Sequence, residues 1–296
     1  MSIVVTGATG QLGRLVVDEL LARVPAEQIA AVVRDKAKAA PLAERGVELR
    51  VADYDKPESL AGVFEAGDIV LLISGSEVGR RLTQHTAVID AAKAAGVARL
   101  VYTGVLGGPA AAFGLADEHR STEQAVLDSG LTHTFLRNGW YSENYTAQIP
   151  VQLRHGVVGS AGEGRIGSAS RADYAAAAAV VLTTEGHDGK AYELSGDTAW
   201  TLAEYAAVLS EQSGETVAYN DVPAEVLLSV LTGAGVPRPM AEILVDVDVR
   251  AVRQGLLQGG SGDLSRLIGR PTTPVADSIA AALNGGPSDG TGRAVS

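Results

Sequence analysis

The residues able to do chemistry fall into a few short runs, and the first is VVTGATGQLG at positions 4–13. An apolar strand enters Gly7, Gly10 and Gly13, and then Leu12, Leu15, Val16 and Leu20 follow at helical spacing. Gly7 permits a tight turn, Gly10 lets the backbone approach a pyrophosphate, and Gly13 lets the helix pack close to the sheet. The helix start then presents free N–H groups to the anion. Thr6, Gly7, Thr9, Gly10, Gln11, Leu12 and Gly13 are therefore expected to wrap a dinucleotide.

Which dinucleotide is decided at the end of the second strand, where a side chain meets the adenosine ribose. An acidic residue there favours NAD, whereas this chain has Arg34 directly after Val33, Lys36 and Lys38 close behind, and Asp35 as an opposing neighbour. A guanidinium grips a 2′-phosphate with two donors, so NADP(H) is the expected cofactor. Asp53, after the third strand, stands where such folds contact adenine, and it reads nearly as well as a turn former. Ser74, Gly75 and Ser76 follow the fourth strand and are placed beneath the cofactor's ribose, with a plain polar loop as the competing reading. Thr103 and Gly104 end the fifth strand, where a glycine leaves space beside a nicotinamide. Asn138, Trp140, Tyr141 and Asn144 follow the sixth strand, whose carboxyl end is where open α/β sheets place ligands.

These residues need a parallel sheet to hold them. Short β-branched runs alternate with helical patterns through the first half, the signature of repeated βαβ units. Strands are expected at Ser2–Thr6, Ile29–Val33, Val47–Val51, Ile69–Ile73, Arg99–Thr103 and Thr132–Leu136, with helices near 11–23, 57–65, 79–95 and 117–129. The third of these helices is expected to close at Gly96. The reading is a doubly wound Rossmann α/β fold with helices on both faces over 1–137. A smaller α/β substrate region, not an independent domain, follows at 138–283, and a disordered tail at 284–296. Within that region a helix is expected after Ser170, a short strand at Ala191–Leu194, a helix with a capping box at Thr201 and Glu204, and another with Pro274 at its first position.

Composition narrows the partners. The 24 Lys and Arg face 35 Asp and Glu, a net charge of −11 with no basic run, which disfavours nucleic acid and anionic membranes and leaves small molecules. Cysteine is absent, so disulfides, thiol nucleophiles and iron–sulfur ligation are excluded. The five histidines show no metal-ligand spacing, and no metal is expected. With no apolar run of spanning length and no charged leader expected, the reading is a cytoplasmic protein. A homodimer is the expectation from base rates alone.

TGATGQLG, Arg34, LADEHRSTEQ at 115–124, LRNGWYSENY at 136–145 and SASRADYAAAAA at 168–179 resemble the NmrA-like branch of atypical short-chain dehydrogenases. The resemblance is strongest to its bacterial NADPH:quinone oxidoreductases. It runs from the first strand to about Thr272, taking in GDTAWTL and LIGRPTT, and a related triphenylmethane dye reductase shares much of it. It implies direct two-electron hydride transfer from nicotinamide to a quinone, without flavin. Ordinary short-chain dehydrogenases use a tyrosine four residues before a lysine to pass a proton to a carbonyl. No tyrosine here has such a partner, and the equivalent positions are Leu115 and His119. Gly104 likewise stands where common relatives carry serine. A quinone can do without this pair, because the hydroquinone anion can take its proton from water.

The resemblance also implies roles. The 138–145 loop lies against nicotinamide and acceptor, so Tyr141 or Trp140 is expected to stack on a quinone ring and Asn138 to bond its oxygen, with packing an equal alternative for Trp140. His119 is a candidate proton donor, although a lone histidine is more often structural. Arg171 either borders the site or pairs with Asp173. Two other functions fit the missing pair: a non-catalytic NADP(H)-sensing regulator, and a reductase of dyes or other conjugated electrophiles.

Overall fold

The computed structural model describes residues 1–285. The apolar runs form a seven-stranded sheet of β1 (Ile3–Val5), β2 (Ile29–Val33), β3 (Glu48–Val51), β4 (Ile69–Leu72), β5 (Arg99–Val105), β6 (His133–Asn138) and β8 (Lys190–Leu194). Its order is β3-β2-β1-β4-β5-β6-β8, and each adjacent pair is parallel. The chain leaves β1 in one direction to build β2 and β3, then returns to β1's other side with β4. The carboxyl ends of β1 and β4 therefore border a crevice, which is where a doubly wound sheet binds its ligand.

Both faces of the sheet are covered. On one, the helices Gln11–Leu21, Arg171–Thr183 and Asp263–Ile268 bury Val16, Val17, Leu20, Ala175, Ala178 and Leu264. On the other, Arg81–Ala95 and Gly114–Ser129 bury Val88, Ile89, Ala92 and Val126. Gly96, at φ 71°, closes the 81–95 helix in the left-handed conformation. A third apolar cluster joins Phe113, Leu115 and Trp140 to Trp200, Tyr205 and Leu257, and welds the carboxyl-terminal lobe to the site end of the sheet. That lobe holds a small parallel pair, β7 (Val157–Gly159) with β9 (Tyr219–Asp221), and a π-helical stretch at Val247–Val252.

Some expectations shift. The helix expected near 57–65 is only a single turn, Pro57–Leu60. Pro274 caps the Val275–Leu283 helix instead of opening it. The capping box at Thr201 is present, with Glu204 N donating to Thr201 Oγ1 and Thr201 N donating to Glu204 Oε2. The strand expected at 191–194 is the sheet's seventh, and the 171–183 helix lies on the sheet's face, so the Rossmann body draws on residues beyond 137. The disordered tail proposed for 284–296 lies outside the described residues, apart from Asn284 and Gly285, which end the last helix.

Arg137 of β6 ties β5, β6, β8 and the 114–129 helix together near the site. Its guanidinium donates Nε to Glu123 Oε1 at 2.9 Å, Nη2 to Glu123 Oε2 at 2.8 Å and Nη1 to Glu193 Oε1 at 2.8 Å. Glu193 also accepts from Gly107 N at 2.7 Å, which fixes the loop after β5. At Gly108 the guanidinium leaves no room for a Cβ. Replacing Arg137 by alanine strands Glu123 as a buried charge and should cost about 3–5 kcal/mol in urea unfolding. Lysine should recover little, because it cannot span both carboxylates.

Candidate cofactor and acceptor site

The glycine run folds as its spacing requires. Gly7 has φ +60°, and Gly10 N donates to its carbonyl at 2.9 Å to close the turn. A Cβ on Gly13 would overlap the Gly7 carbonyl and lie 2.8 Å from Ala8 Cα, so only glycine lets the helix sit this close. The helix starts at Gln11 with Gly10 as its uncapped N-cap. The N–H groups of Gln11, Leu12 and Gly13 therefore have no intrahelical acceptor, which suits a pyrophosphate. Thr6 is buried, and its Oγ1 accepts from Ile73 N at 3.1 Å, so it ties β1 to the end of β4 beneath the crevice.

At the adenosine end Arg34 is 68% exposed, with Nη1 3.7 Å from Glu77 Oε1. Asp35 turns its carboxylate back onto its own turn, where Oδ1 accepts from Ala37 N at 2.8 Å, so it organises the segment that carries Lys36 and Lys38. Asp53 is likewise a turn former: Oδ1 accepts from Asp55 N and its carbonyl from Lys56 N. Its neighbour Tyr54 is the residue that sequence reasoning missed. The Tyr54 hydroxyl meets the Thr6 side chain and the Gly7 backbone, and burial raises its pKa against the opposing pull of these contacts and of Arg34. An aromatic residue three positions past a strand end was the available signal.

The 74–76 loop is held by a buried polar network. Ser74 N donates to Thr103 Oγ1 at 2.9 Å, Gly75 N to His85 Nε2 at 3.0 Å, and Arg81 Nε to the Gly75 carbonyl at 2.7 Å. Because His85 accepts at Nε2, its proton sits on Nδ1, facing Thr122 Oγ1 at 3.0 Å. Burial, and then the Arg81 charge, push His85 down to about 3. Neither Arg81 nor His85 stood out in the sequence, since they meet the loop only through the fold. Ser76 is exposed.

His119 is buried and shares a 2.7 Å hydrogen bond between Nδ1 and Tyr102 Oη. Burial, then Arg81 and His85, hold its pKa well below the ordinary histidine value. It is neutral at physiological pH, and this geometry favours a structural place over the proton-donor role. Gly104 has a structural reason of its own. A Cβ there would lie 3.1 Å from Glu123 Oε1, so the missing side chain also makes room for the Glu123–Arg137 pair.

Beyond β6, Asn138 Nδ2 donates to Tyr141 Oη at 3.4 Å, and the Arg171 guanidinium lies 4.7 Å from the Tyr141 ring centroid. Tyr174 packs edge-on against the same ring. Glu143 fixes Arg171 by accepting from its backbone N, and Asn144 Oδ1 accepts from Arg171 Nη2 at 3.3 Å. Trp140 points the other way, into the apolar cluster of the second lobe, so packing prevails over stacking. Asp173 caps the 171–183 helix with Ser170 and bonds Thr273 and Arg270, which leaves Arg171 to the site. Asn138 Oδ1, Asn144 Nδ2 and Arg171 Nε are buried without hydrogen-bond partners among the described residues. Such orphaned atoms are costly unless a ligand satisfies them, and with the glycine cradle they fit a bound nicotinamide dinucleotide.

Comparison with known proteins agrees. The profile of the NAD(P)H-binding family matches residues 7–185. The chain belongs to this family. Quinone oxidoreductase 2 of Escherichia coli (strain K12) is 50% identical over 283 residues, 95% of this chain and 99% of that one. Its crystal structure with NADPH superposes with a TM-score of 0.93 at 49% identity, covering 95% of this chain and all of that one. Triphenylmethane reductase of Citrobacter sp., complexed with NADP(H), gives a TM-score of 0.91 at 41% identity over 95% of this chain and all of that one.

The buried histidines carry a pH signature. His85 titrates at about 3 in the folded state, and at about 6.5 once unfolded, so between these values the unfolded chain binds the extra proton. Stability should therefore fall as pH drops from about 7 toward 5. His85→Gln, which can still accept from Gly75 and donate to Thr122, should flatten that fall in urea titrations at the two pH values. An unchanged slope would reject the assignment.

Proposed function

We propose that this protein is an NADPH-dependent quinone oxidoreductase that passes a hydride directly to a small quinone-like acceptor, without flavin, in the cytoplasm. The observation that carries the reading is the end-to-end likeness to the Escherichia coli enzyme, in sequence and in the NADPH-bound structure. No helix of the described residues is long and apolar enough to cross a membrane. A sensing role without catalysis is less favoured, because a relative 50% identical over 95% of this chain is a quinone oxidoreductase. The likeness to a triphenylmethane reductase supports dyes as further acceptors in the same pocket.

When bound, the nicotinamide supplies the hydride. The protein's own work is positional. The N–H groups of Gln11, Leu12 and Gly13 hold the pyrophosphate, and Arg34 takes the 2′-phosphate in place of Glu77. Tyr141 accepts from Asn138 while its phenolic proton has no acceptor among the described residues, so it is free to donate to an acceptor oxygen. Burial raises the Tyr141 pKa, outweighing the lowering by Asn138 and Arg171, so the phenol stays protonated at neutral pH. With Leu115 and His119 where a tyrosine and a lysine would stand, the reduced acceptor collects its proton from water.

Purified protein should oxidise NADPH rapidly and saturably with benzoquinone or naphthoquinone, and NADH far less well. Tight NADPH binding with no turnover on any quinone would overturn the enzyme reading in favour of a regulator. Arg34→Ala should raise the KM for NADPH about tenfold and leave that for NADH within about twofold. Tyr141→Phe should lower quinone turnover while sparing NADPH affinity, and equal loss of both would mean that the phenol only packs.

A further inference from the structure

The cation expected to read the 2′-phosphate is not free. Arg34 stands against Glu77, and Glu77 is also bonded by Arg80. Beside the glycine loop the balance of charge is different. A pocket of about 270 Å³ opens beside the glycine loop, lined by Thr9, Arg14, Lys38, Pro41 and Leu42. Two of these five residues are basic and none is acidic, in a chain whose net charge is −11. Among the described residues neither Arg14 nor Lys38 forms a salt bridge, while the next cation along, Arg45, is paired with Asp18. Arg14 is also oriented. Its Nε donates to the Thr9 carbonyl at 2.9 Å, which pins the guanidinium to the cofactor loop and leaves both Nη groups unengaged. Lys38 is set by the Asp35 carboxylate, which accepts from its backbone N at 3.4 Å and from Ala37 N. The only carboxylate on this turn is thus occupied by backbone.

The pocket lies between the loop that receives the pyrophosphate and the turn after β2 that borders the adenosine ribose. An anion on the ribose facing this turn would meet Arg14 and Lys38 as well as Arg34. We propose that Arg14 is a second anchor for the cofactor's 2′-phosphate. It acts with Lys38 in this pocket, so that selectivity for NADP(H) is divided between the first helix and the turn after β2. The inference rests on the NADP(H) reading above. Arg14 and Lys38 are exposed, but the bond from Arg14 Nε to the Thr9 carbonyl orients the guanidinium, and its two unengaged Nη groups can offer a phosphate parallel donors with less loss of side-chain freedom than an untethered arginine would suffer.

The test uses cofactor binding alone, so that it stands apart from any failure of quinone turnover. Dissociation constants are measured by titration calorimetry for NADPH, NADH, 2′,5′-ADP and 5′-AMP. Arg14→Gln keeps a side-chain donor for the Thr9 carbonyl and removes the charge. It should weaken NADPH and 2′,5′-ADP about tenfold, with NADH and 5′-AMP within about twofold, and should reduce the salt dependence of 2′,5′-ADP binding. Arg14→Lys should recover part of the loss. Combining Arg14→Gln with Lys38→Gln should deepen the loss for the phosphorylated ligands only. Equal weakening of NADPH and NADH would show that Arg14 merely braces the loop, and no change in either would place the phosphate on Arg34 alone. Both results overturn the proposal. If the unaltered protein failed to prefer NADPH over NADH, the NADP(H) reading itself would fall, whatever the variants did.

Discussion

Three peptide N–H groups at the start of the 11–21 helix have no carbonyl within the helix to receive them. The rest of the binding crevice is arranged around that local excess of positive potential. Gly13 brings the helix down onto the Gly7–Ala8 turn, and the sheet order leaves an opening where the helix end points. In an acidic protein this concentrates attraction for an anion at one place without a basic surface, because the donors are backbone and carry no formal charge.

Most of the fold was legible because its signals are local. Ile29–Val33 was bounded by its own β-branched run, Gly96 by the φ it must adopt, and Thr201 with Glu204 by their spacing. What escaped was whatever depends on partners distant in sequence. Lys190–Leu194 looks like a short strand of the second lobe until β6 offers its free edge. The stretch after Pro57 has helical composition, yet it closes after one turn. Gly104 is the sharpest case: in the sequence it reads as an opening toward the cofactor, and only the fold shows that a side chain there would press on Glu123.

The same division runs through the candidate site. The glycine loop and Arg34 announce themselves by spacing and position, whereas Tyr54, Arg81, His85 and Glu143 act through contacts that no motif records. Arg81 and His85 are buried polar side chains that each bond Gly75, and both also reach the 114–129 helix, His85 at Thr122 and Arg81 at Glu118. Together they fix the Gly75 backbone to the helices behind the crevice wall. Such positioning is what the proposed reaction, with its proton drawn from water, asks of the protein.

The seventh strand has a consequence for how the chain is made. The ribosome releases β6 well before Lys190–Leu194, and the helix Asp263–Ile268 that packs near β8 comes later still. Through that interval the nascent protein carries an open, parallel sheet edge, the kind of template on which neighbouring chains can add strands. Synthesis thus sets a period of vulnerability between the completion of the cofactor crevice and the sealing of the sheet, and a chaperone bound at β6 would act within it.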